Sequence, residues 1–346
     1  MIKKINIINV YILILLICAC SSKQQVACLP IVVVYPTWSA TQLPLESIPW
    51  NKFTHITLTF ILPKADGSLD TQDMDKIIDL LVTSAHTHNK KVFVSIGGAI
   101  GYGDAFQKIA ADKSLLKKFS GAVKNYVDLH HIDGIDIDWE YWTKQVVKGE
   151  GGNDPFESRL LVDLLASLRS ELPVNVQMTT DIFAGYWYGE QYLPEIQDSV
   201  DYVTLMTYDF TGAWEGSAIH HHADYETFKK SIELALNRGF KNEKMLIGFP
   251  AYGIEFIDGK NQQVNRDYSH KQIVELVKKE GLDINIGKLG NLYFETPELV
   301  KAKSRYILDL HLAGIFMFEL TQDTKDDATS LLSASSQVIS SGFCKP

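Results

Sequence analysis

The chain has four cysteines in 346 residues, and they do not make the Cys and His spacing of a zinc site. It has no cluster of Lys and Arg. The 33 basic residues against 42 acidic ones give a formal charge of −9, which excludes the basic face that a nucleic-acid partner requires. No Gly-rich phosphate loop follows an early apolar strand, so an open dinucleotide-binding sheet lacks its main signature. Linkers, low-complexity tracts and a second zone of composition are missing too, and the chain reads as one domain. Its apolar fraction of 46% and charged fraction of 22% are those of a globular protein with a full core.

One apolar run stands apart, from Ile5 to Ala19 behind Lys3 and Lys4. A run of that length after a short positive segment reads as an export signal and not as a spanning helix. Its end, Ile17-Cys18-Ala19-Cys20, resembles a bacterial lipobox, which implies cleavage before Cys20 and acylation of its thiol. A plain secretory signal cut nearby is the alternative. On the lipobox reading, residues 1–19 are signal, 20–28 a tether and 29–346 the folded domain. Loss of Lys3 and Lys4 then takes the net charge from −9 to −11. Ser21 behind Cys20 resembles the pattern sorted onward, so the expected place is the bacterial outer membrane or cell surface, held by lipid, with the protein a monomer.

From residue 31 a β-branched apolar run, a loop and an amphipathic stretch alternate. Strands are expected at 31–35, 55–60, 91–96, 132–138, 174–180, 201–207, 244–249 and 314–320. Helices are expected at 74–86, 114–131, 156–172, 225–240 and 328–342. Eight nearly continuous apolar strands alternating with helices predict a closed parallel (β/α)8 barrel. Residues 254–313 hold two more helical stretches and a short hairpin near 287–294, room for no more than a small insertion between strands seven and eight. In such a barrel the start of strand one and the end of the last helix share the bottom face. Cys28 and Cys344 would be neighbours there and candidates for a disulfide, with two free thiols as the alternative.

In HIDGIDIDWEYW, from His131, Asp136, Asp138 and Glu140 alternate with Ile137 and Trp139. On a strand they face one way, about 6–7 Å apart at each step. No Lys or Arg lies within the run, and like charges so placed oppose ionisation. A calcium loop would space its acids with Gly and polar residues. The DxD metal site of a nucleotide-sugar transferase should come with a Rossmann-like half. A solvated acidic face would not alternate with strong β-formers. Barrel enzymes place their sites at the C-terminal ends of strands. Those ends carry Tyr35, Phe60, Ser95 with Gly97 and Gly98, the acid row, Gln177 to Thr179, Met206 with Tyr208 and Asp209, and Phe318 with Glu319. The segments behind the strands are rich in aromatics, among them Trp38, Tyr102, Tyr141, Trp142, Tyr186 to Tyr188, Trp214 and Tyr252. Flat rings with a polar edge suit sugar faces, although some will only pack loops. Acids beside sugar platforms indicate glycoside hydrolysis. Yet strand seven runs into Gly248-Phe249-Pro250-Ala251 without the second carboxylate that an ordinary retaining enzyme uses as nucleophile.

The stretch Asp133 to Glu140, DGIDIDWE, closely resembles the D-G-x-D-x-D-x-E signature of glycoside hydrolase family 18, the chitinases and endo-β-N-acetylglucosaminidases. Ser95-Ile96-Gly97-Gly98, Met206-Thr207-Tyr208-Asp209 and Pro250-Ala251-Tyr252-Gly253 resemble its other motifs, in the same order, over residues 31 to about 323. The resemblance implies that the substrate's own 2-acetamido oxygen is the nucleophile, with no cofactor and no metal. It makes Glu140 the general acid and then the base. Asp138 becomes the acceptor for the acetamido N–H, Asp136 the partner sharing its proton, and Tyr208 the donor to the acetamido carbonyl. Ser95 would support Asp136, and Gly97 and Gly98 would let the backbone pass close. Tyr35, Phe60, Tyr141, Met206, Asp209, Trp214 and Phe318 would line the substrate, a polysaccharide or glycan containing N-acetylglucosamine.

Two departures stand out. Phe318 occupies the place where the family usually has a Trp floor, and the insertion is shorter than in processive chitinases, which implies an open cleft. Chitin or its oligomers and the chitobiose core of N-glycans both remain as substrates; Trp139 and Tyr141 beside Glu140 favour chitin. A surface glycan-binding protein without turnover is opposed by the presence of Glu140. The His220 to His222 run reads as loop, not as a metal site.

Overall fold

The computed structural model describes residues 29–98, 103–140, 155–185, 188, 192–214, 216–257 and 265–343. All eight expected strands are present. In chain order the strands are β1 (Ile31–Pro36), β2 (His55–Pro63), β3 (Leu69–Asp70), β4 (Lys91–Gly98), β5 (Gly134–Trp139), β6 (Gln177–Phe183), β7 (Tyr202–Met206), β8 (Met245–Pro250), β9 (Tyr252–Phe256), β10 (Asn265–Ser269), β11 (Lys288–Leu289), β12 (Leu292–Phe294) and β13 (Gly314–Phe318). The parallel order β1–β13–β8–β7–β6–β5–β4–β2 closes on itself through β1 and β2, so the sheet is an eight-stranded barrel. Val33, Ile56, Ile135, Val203, Ile247 and Ile315 have no exposed surface. These β-branched side chains favour the pleated, doubly covered strand, and their burial is the main source of stability here.

The helices among the described residues are α1 (Ile78–Thr87), α2 (Gly103–Ala111), α3 (Lys113–His130), α4 (Pro155–Glu171), α5 (Tyr225–Asn237), α6 (His270–Lys279), α7 (Pro297–Asp309) and α8 (Leu331–Phe343). Their ends follow local chemistry. The Asp112 side chain accepts from the amides of Ser114 and Leu115 and starts α3. Ser269 and Gln272 form a reciprocal capping box on α6, and Thr296 with Pro297 opens α7. Helix α2 was not expected from the pattern. It is short and separated from α3 only by the Asp112 cap, and its Phe106 and Ile109 are fully buried.

Two further differences bear on the site. The fifth barrel strand begins three residues later than its apolar pattern suggests, at Gln177 instead of Val174. The Arg169 guanidinium donates to the carbonyls of Leu172, Pro173 and Val176 and holds the preceding turn, leaving Val174 98% exposed. The C-terminal end of that strand is therefore Asp181 to Phe183, not Gln177 to Thr179. The insertion before β13 contains the expected hairpin, β11 with β12. The hairpin joins β9 and β10 in a four-stranded antiparallel sheet with α6 packed alongside, and Tyr252, Ile254 and Asp267 of that sheet form one wall of a cavity.

At Gly97 the chain passes β5 so closely, at φ +119°, that an added Cβ would lie 2.1 Å from the Asp138 carbonyl oxygen. Gly97→Ala should therefore destabilise the protein by more than about 3 kcal/mol. Gly121, inside α3, has open space around it, and Gly121→Ala should raise stability by up to about 1 kcal/mol. Thermal unfolding of both variants beside the parent checks the pair; a Gly97→Ala protein as stable as the parent would contradict this backbone geometry.

Candidate active site

The acid row sits at the C-terminal end of the barrel because β5 places Asp136 and Asp138 two apart on one face, with Glu140 directly beyond its last residue. Register supplies their support. Ser95 on β4 and Thr179 on β6 both pair with Asp136. The Ser95 Oγ donates to Asp136 Oδ2 at 2.7 Å, and the Thr179 Oγ1 to Asp136 Oδ1 at 2.6 Å. Both oxygens of a carboxyl that is only 3% exposed are thus held by hydroxyl donors. Asp138 lies opposite Gly97, is 5% exposed, and has a buried Oδ1 without a hydrogen-bond partner. Glu140 is part-exposed, unlike the two aspartates before it.

A fourth acid joins the row from β6. Asp181 is 5% exposed and hydrogen-bonds Asp136. Continuing the pairing of Ile137 with Thr180 by one residue sets Asp181 beside Asp138. The apolar pattern from Val174 places the end of this strand at Thr180, three residues short, and so leaves Asp181 outside the expected site. The signal that could have found it is the period of two: Asp181 follows Thr179 on the same face of the strand.

Crowding and burial raise every one of these acids. Burial comes first for Asp136, against which the hydrogen bonds from Thr179, Ser95 and Asp181 act. Asp138 is pushed well above the usual carboxylate range by burial, then by Glu140, Asp181 and Asp136. Asp181 is pushed well above it by burial and then by Asp136. Burial and the Asp209 charge hold Glu140 at about 7. These directions are those expected when several carboxyls share one desolvated space: part of the row stays protonated at neutral pH.

Tyr208 and Asp209, just past β7, form the facing wall. The Tyr208 ring stacks on Phe318 with centroids 6.3 Å apart and meets Tyr252 edge-on. Asp209 has φ +54° and accepts a 2.7 Å hydrogen bond from the Tyr252 hydroxyl. An imidazole nitrogen of His222 lies 3.2 Å from the same Asp209 oxygen, and that histidine has no exposed surface. The histidine run is loop, as expected, but its last member braces the site. Among the described residues no His, Cys, Asp and Glu group is arranged to hold a metal ion. Beside Asp209 opens a cavity of about 320 Å³, lined by Asp209, Trp214, Tyr252, Asp267 and Phe318 among others, on the side where Phe318 and Tyr252 meet Tyr208. Asp267 and Tyr252, both from the insertion sheet, had no role in the sequence reading beyond Tyr252's place in a motif and among the aromatics.

Several expected residues sit elsewhere. Tyr35 is completely covered, its hydroxyl donating to the Leu43 carbonyl at 2.7 Å, so it braces the loop behind β1 and offers no surface to a ligand. Trp139 is 1% exposed and stacks on Phe106 of α2. The Tyr188 ring stacks on Tyr192. Phe60 is half-buried and carries the exposed Trp38 stacked on it. Gly98 receives the Phe60 ring, which an added Cβ would approach at 3.1 Å. Met206 packs with Tyr208, Ala223 and Phe318 beneath the cavity. Tyr141, Tyr102, Trp142, Tyr186, Trp187, the signal and tether, and Cys20, Cys28 and Cys344 lie outside the described residues.

Similar proteins carry the same architecture. A chitinase from Bacteroides thetaiotaomicron superposes with a TM-score of 0.77 at 22% identity, covering 90% of this chain and 97% of that one. The class V chitinase from Nicotiana tobaccum does so with a TM-score of 0.75 at 18% identity, covering 91% and 100%. At such identities the likeness is one of fold. Chitinase 1 from Aphanocladium album is 22% identical over 85% of this chain and 81% of its own length. Other curated relatives are longer: the chain spans 19% of the killer toxin subunits alpha/beta of Kluyveromyces lactis, at 26% identity, and 58% of a chitinase-like effector from Moniliophthora roreri, at 28%. The family model for glycosyl hydrolases family 18 matches residues 31–323, from the start of β1 to just past β13, and the chain belongs to that family.

Proposed function

We propose that the protein hydrolyses β-1,4 linkages of N-acetylglucosamine in chitin or its oligomers, with retention and with the substrate's acetamido oxygen as nucleophile. The observation that carries this reading is the row itself: a part-exposed Glu140 held at about 7, next to a buried Asp138 whose Oδ1 has no partner. A carboxyl at about 7 can give a proton to a leaving glycosidic oxygen and take one from water within the same pH range. The open Asp138 oxygen suits an acetamido N–H, and Tyr208 stands across the site to hold the acetamido carbonyl.

Other carboxylates nearby are already engaged. Asp209 is bound by Tyr252 and approached by His222. Glu319 accepts from the Thr321 amide and hydroxyl at 2.7 and 2.8 Å and is turned into the loop behind β13. Neither is presented as an attacking group, in keeping with a nucleophile that comes from the substrate. Trp214, Tyr252 and Phe318 give the cavity its aromatic lining, and its volume lies at the small end for ligand sites. The Lys3–Lys4 segment, the apolar run and Cys20 support export and a lipid anchor that would hold the barrel at a membrane surface.

Chitin oligomers and a high-mannose glycopeptide, offered in parallel and read by product mass, test the substrate. Oligomer cleavage is expected; cleavage within the core sugar pair of the glycopeptide instead would move the protein to glycan release. Glu140→Gln should lower kcat by about 10² to 10⁴. An unchanged rate would remove Glu140 from the chemistry. Because the acid must be protonated, kcat/KM should fall as pH rises above about 7, by about tenfold per unit. Phe318→Trp, which enlarges the aromatic face, should lower KM by about two- to tenfold. A KM that is unchanged or raised would take position 318 out of the sugar platform.

A further inference from the structure

Asp181 has no counterpart among the residues that the family resemblance assigns, yet it is the acid most closely tied to Asp136. The geometry around it is asymmetric. Asp136 already accepts from Ser95 and Thr179, one donor to each oxygen, so its surroundings suit an anion. Asp181 is enclosed, has a buried Oδ1 without a partner, and has one hydroxyl donor, Thr204, against the two on Asp136. The groups acting on it from the packed elements are Asp136, Asp138 and Glu140 from β5 and its end, Thr204 on β7, Tyr208 beyond β7, and Tyr192 beyond β6. All of its ionisable neighbours in that set are acids or phenols. Two carboxylates in hydrogen-bond contact inside such a space cannot both be ionised; one must carry the proton between them.

We propose that Asp181 is a positioning residue that carries this proton, donates it to Asp136, keeps Asp136 anionic, and so leaves Asp138 free to serve the substrate. In a two-acid pair, Asp138 would have to withdraw its shared proton from Asp136 whenever it turned to an acetamido N–H. That would leave Asp136 as a buried anion with hydroxyl donors only. Here Asp181 remains on Asp136 and makes up the loss. No proton leaves or enters the cluster; the hydrogen bond to Asp136 is supplied by Asp181 in place of Asp138. This role presupposes the hydrolase activity proposed above, but the protonation of Asp181 does not.

Two measurements on the purified full chain separate these points. Infrared spectroscopy at pH 7 reads the C=O stretch of protonated carboxyls in the parent and in Asp181→Asn, which keeps size and an N–H donor. One carboxylic-acid band should vanish in the variant; an undiminished band would mean that Asp181 is ionised and would overturn the proposal. Kinetics on chitin oligomers then compare Asp181→Asn with the donor-free Asp181→Ala, and with Asp181→Val if the alanine variant does not fold. The asparagine variant should keep kcat within about threefold, whereas the donor-free variant should lose about tenfold or more in kcat with KM within about twofold. Equal kcat in the parent and the donor-free variant would overturn the positioning role. If the parent cleaves no oligomer, the hydrolase reading fails, and the infrared result still decides where the proton sits.

Discussion

The site depends on keeping carboxyls in a place that disfavours their charge. Asp136, Asp138 and Asp181 are each at most 5% exposed, at the end of a barrel most of whose other buried strand positions are apolar or carry neutral hydroxyls such as Ser95, Thr179 and Thr204. Burial acts first on each of them; repulsion from neighbouring acids adds to it for Asp138 and Asp181, while hydrogen bonds oppose it at Asp136. Three things make the arrangement tolerable. Hydroxyl donors from β4 and β6 cover both oxygens of Asp136; protons retained by the cluster reduce its net charge; and Gly97 lets β4 approach the Asp138 backbone. Each is a property of neighbouring strands, so the acid row is stable only inside a closed and correctly registered barrel.

Around this constraint the remaining elements arrange themselves. The loop behind β7 presents Tyr208 and Asp209, and Asp209 is fixed by partners that arrive from two later segments, Tyr252 on β9 and His222 in the histidine run. The Asp209 charge in turn raises Glu140 toward neutrality. A residue of the insertion thus reaches the acid through one carboxylate. The insertion sheet that carries β9 and β10 is therefore more than a wall of the cleft, because it holds the group that tunes the acid at its centre.

Much of this was legible in the sequence where a period carries the information. Alternating apolar strands and helices specified the barrel, and the period of two across Asp136, Asp138 and Glu140 specified one acidic face. Where the local pattern competes with a tertiary contact, the pattern misleads. Val174 to Val176 looks like the start of a strand, yet Arg169 ties the carbonyls there into a turn and delays β6 by three residues. That delay is what brings Asp181 up to the level of Asp138. Tyr35 is covered where the resemblance implied a substrate-lining residue, because which surface of a strand end stays open depends on the loops packed over it.

By itself, the sequence determined the strand and helix alternation, the order of the motifs, and which carboxyls share a face of β5, because these follow from spacing along one chain. Only the tertiary structure decided that Asp181 contacts Asp136, that His222 and Tyr252 converge on Asp209, and that Trp139 turns to α2. Those contacts join residues 13 to 45 positions apart, or a strand to a helix, and depend on register and closure of the barrel. Spacing along the chain says which face of a strand a residue takes but leaves open how far neighbouring strands are staggered, which hydrogen bonding and side-chain volume across the closed sheet decide.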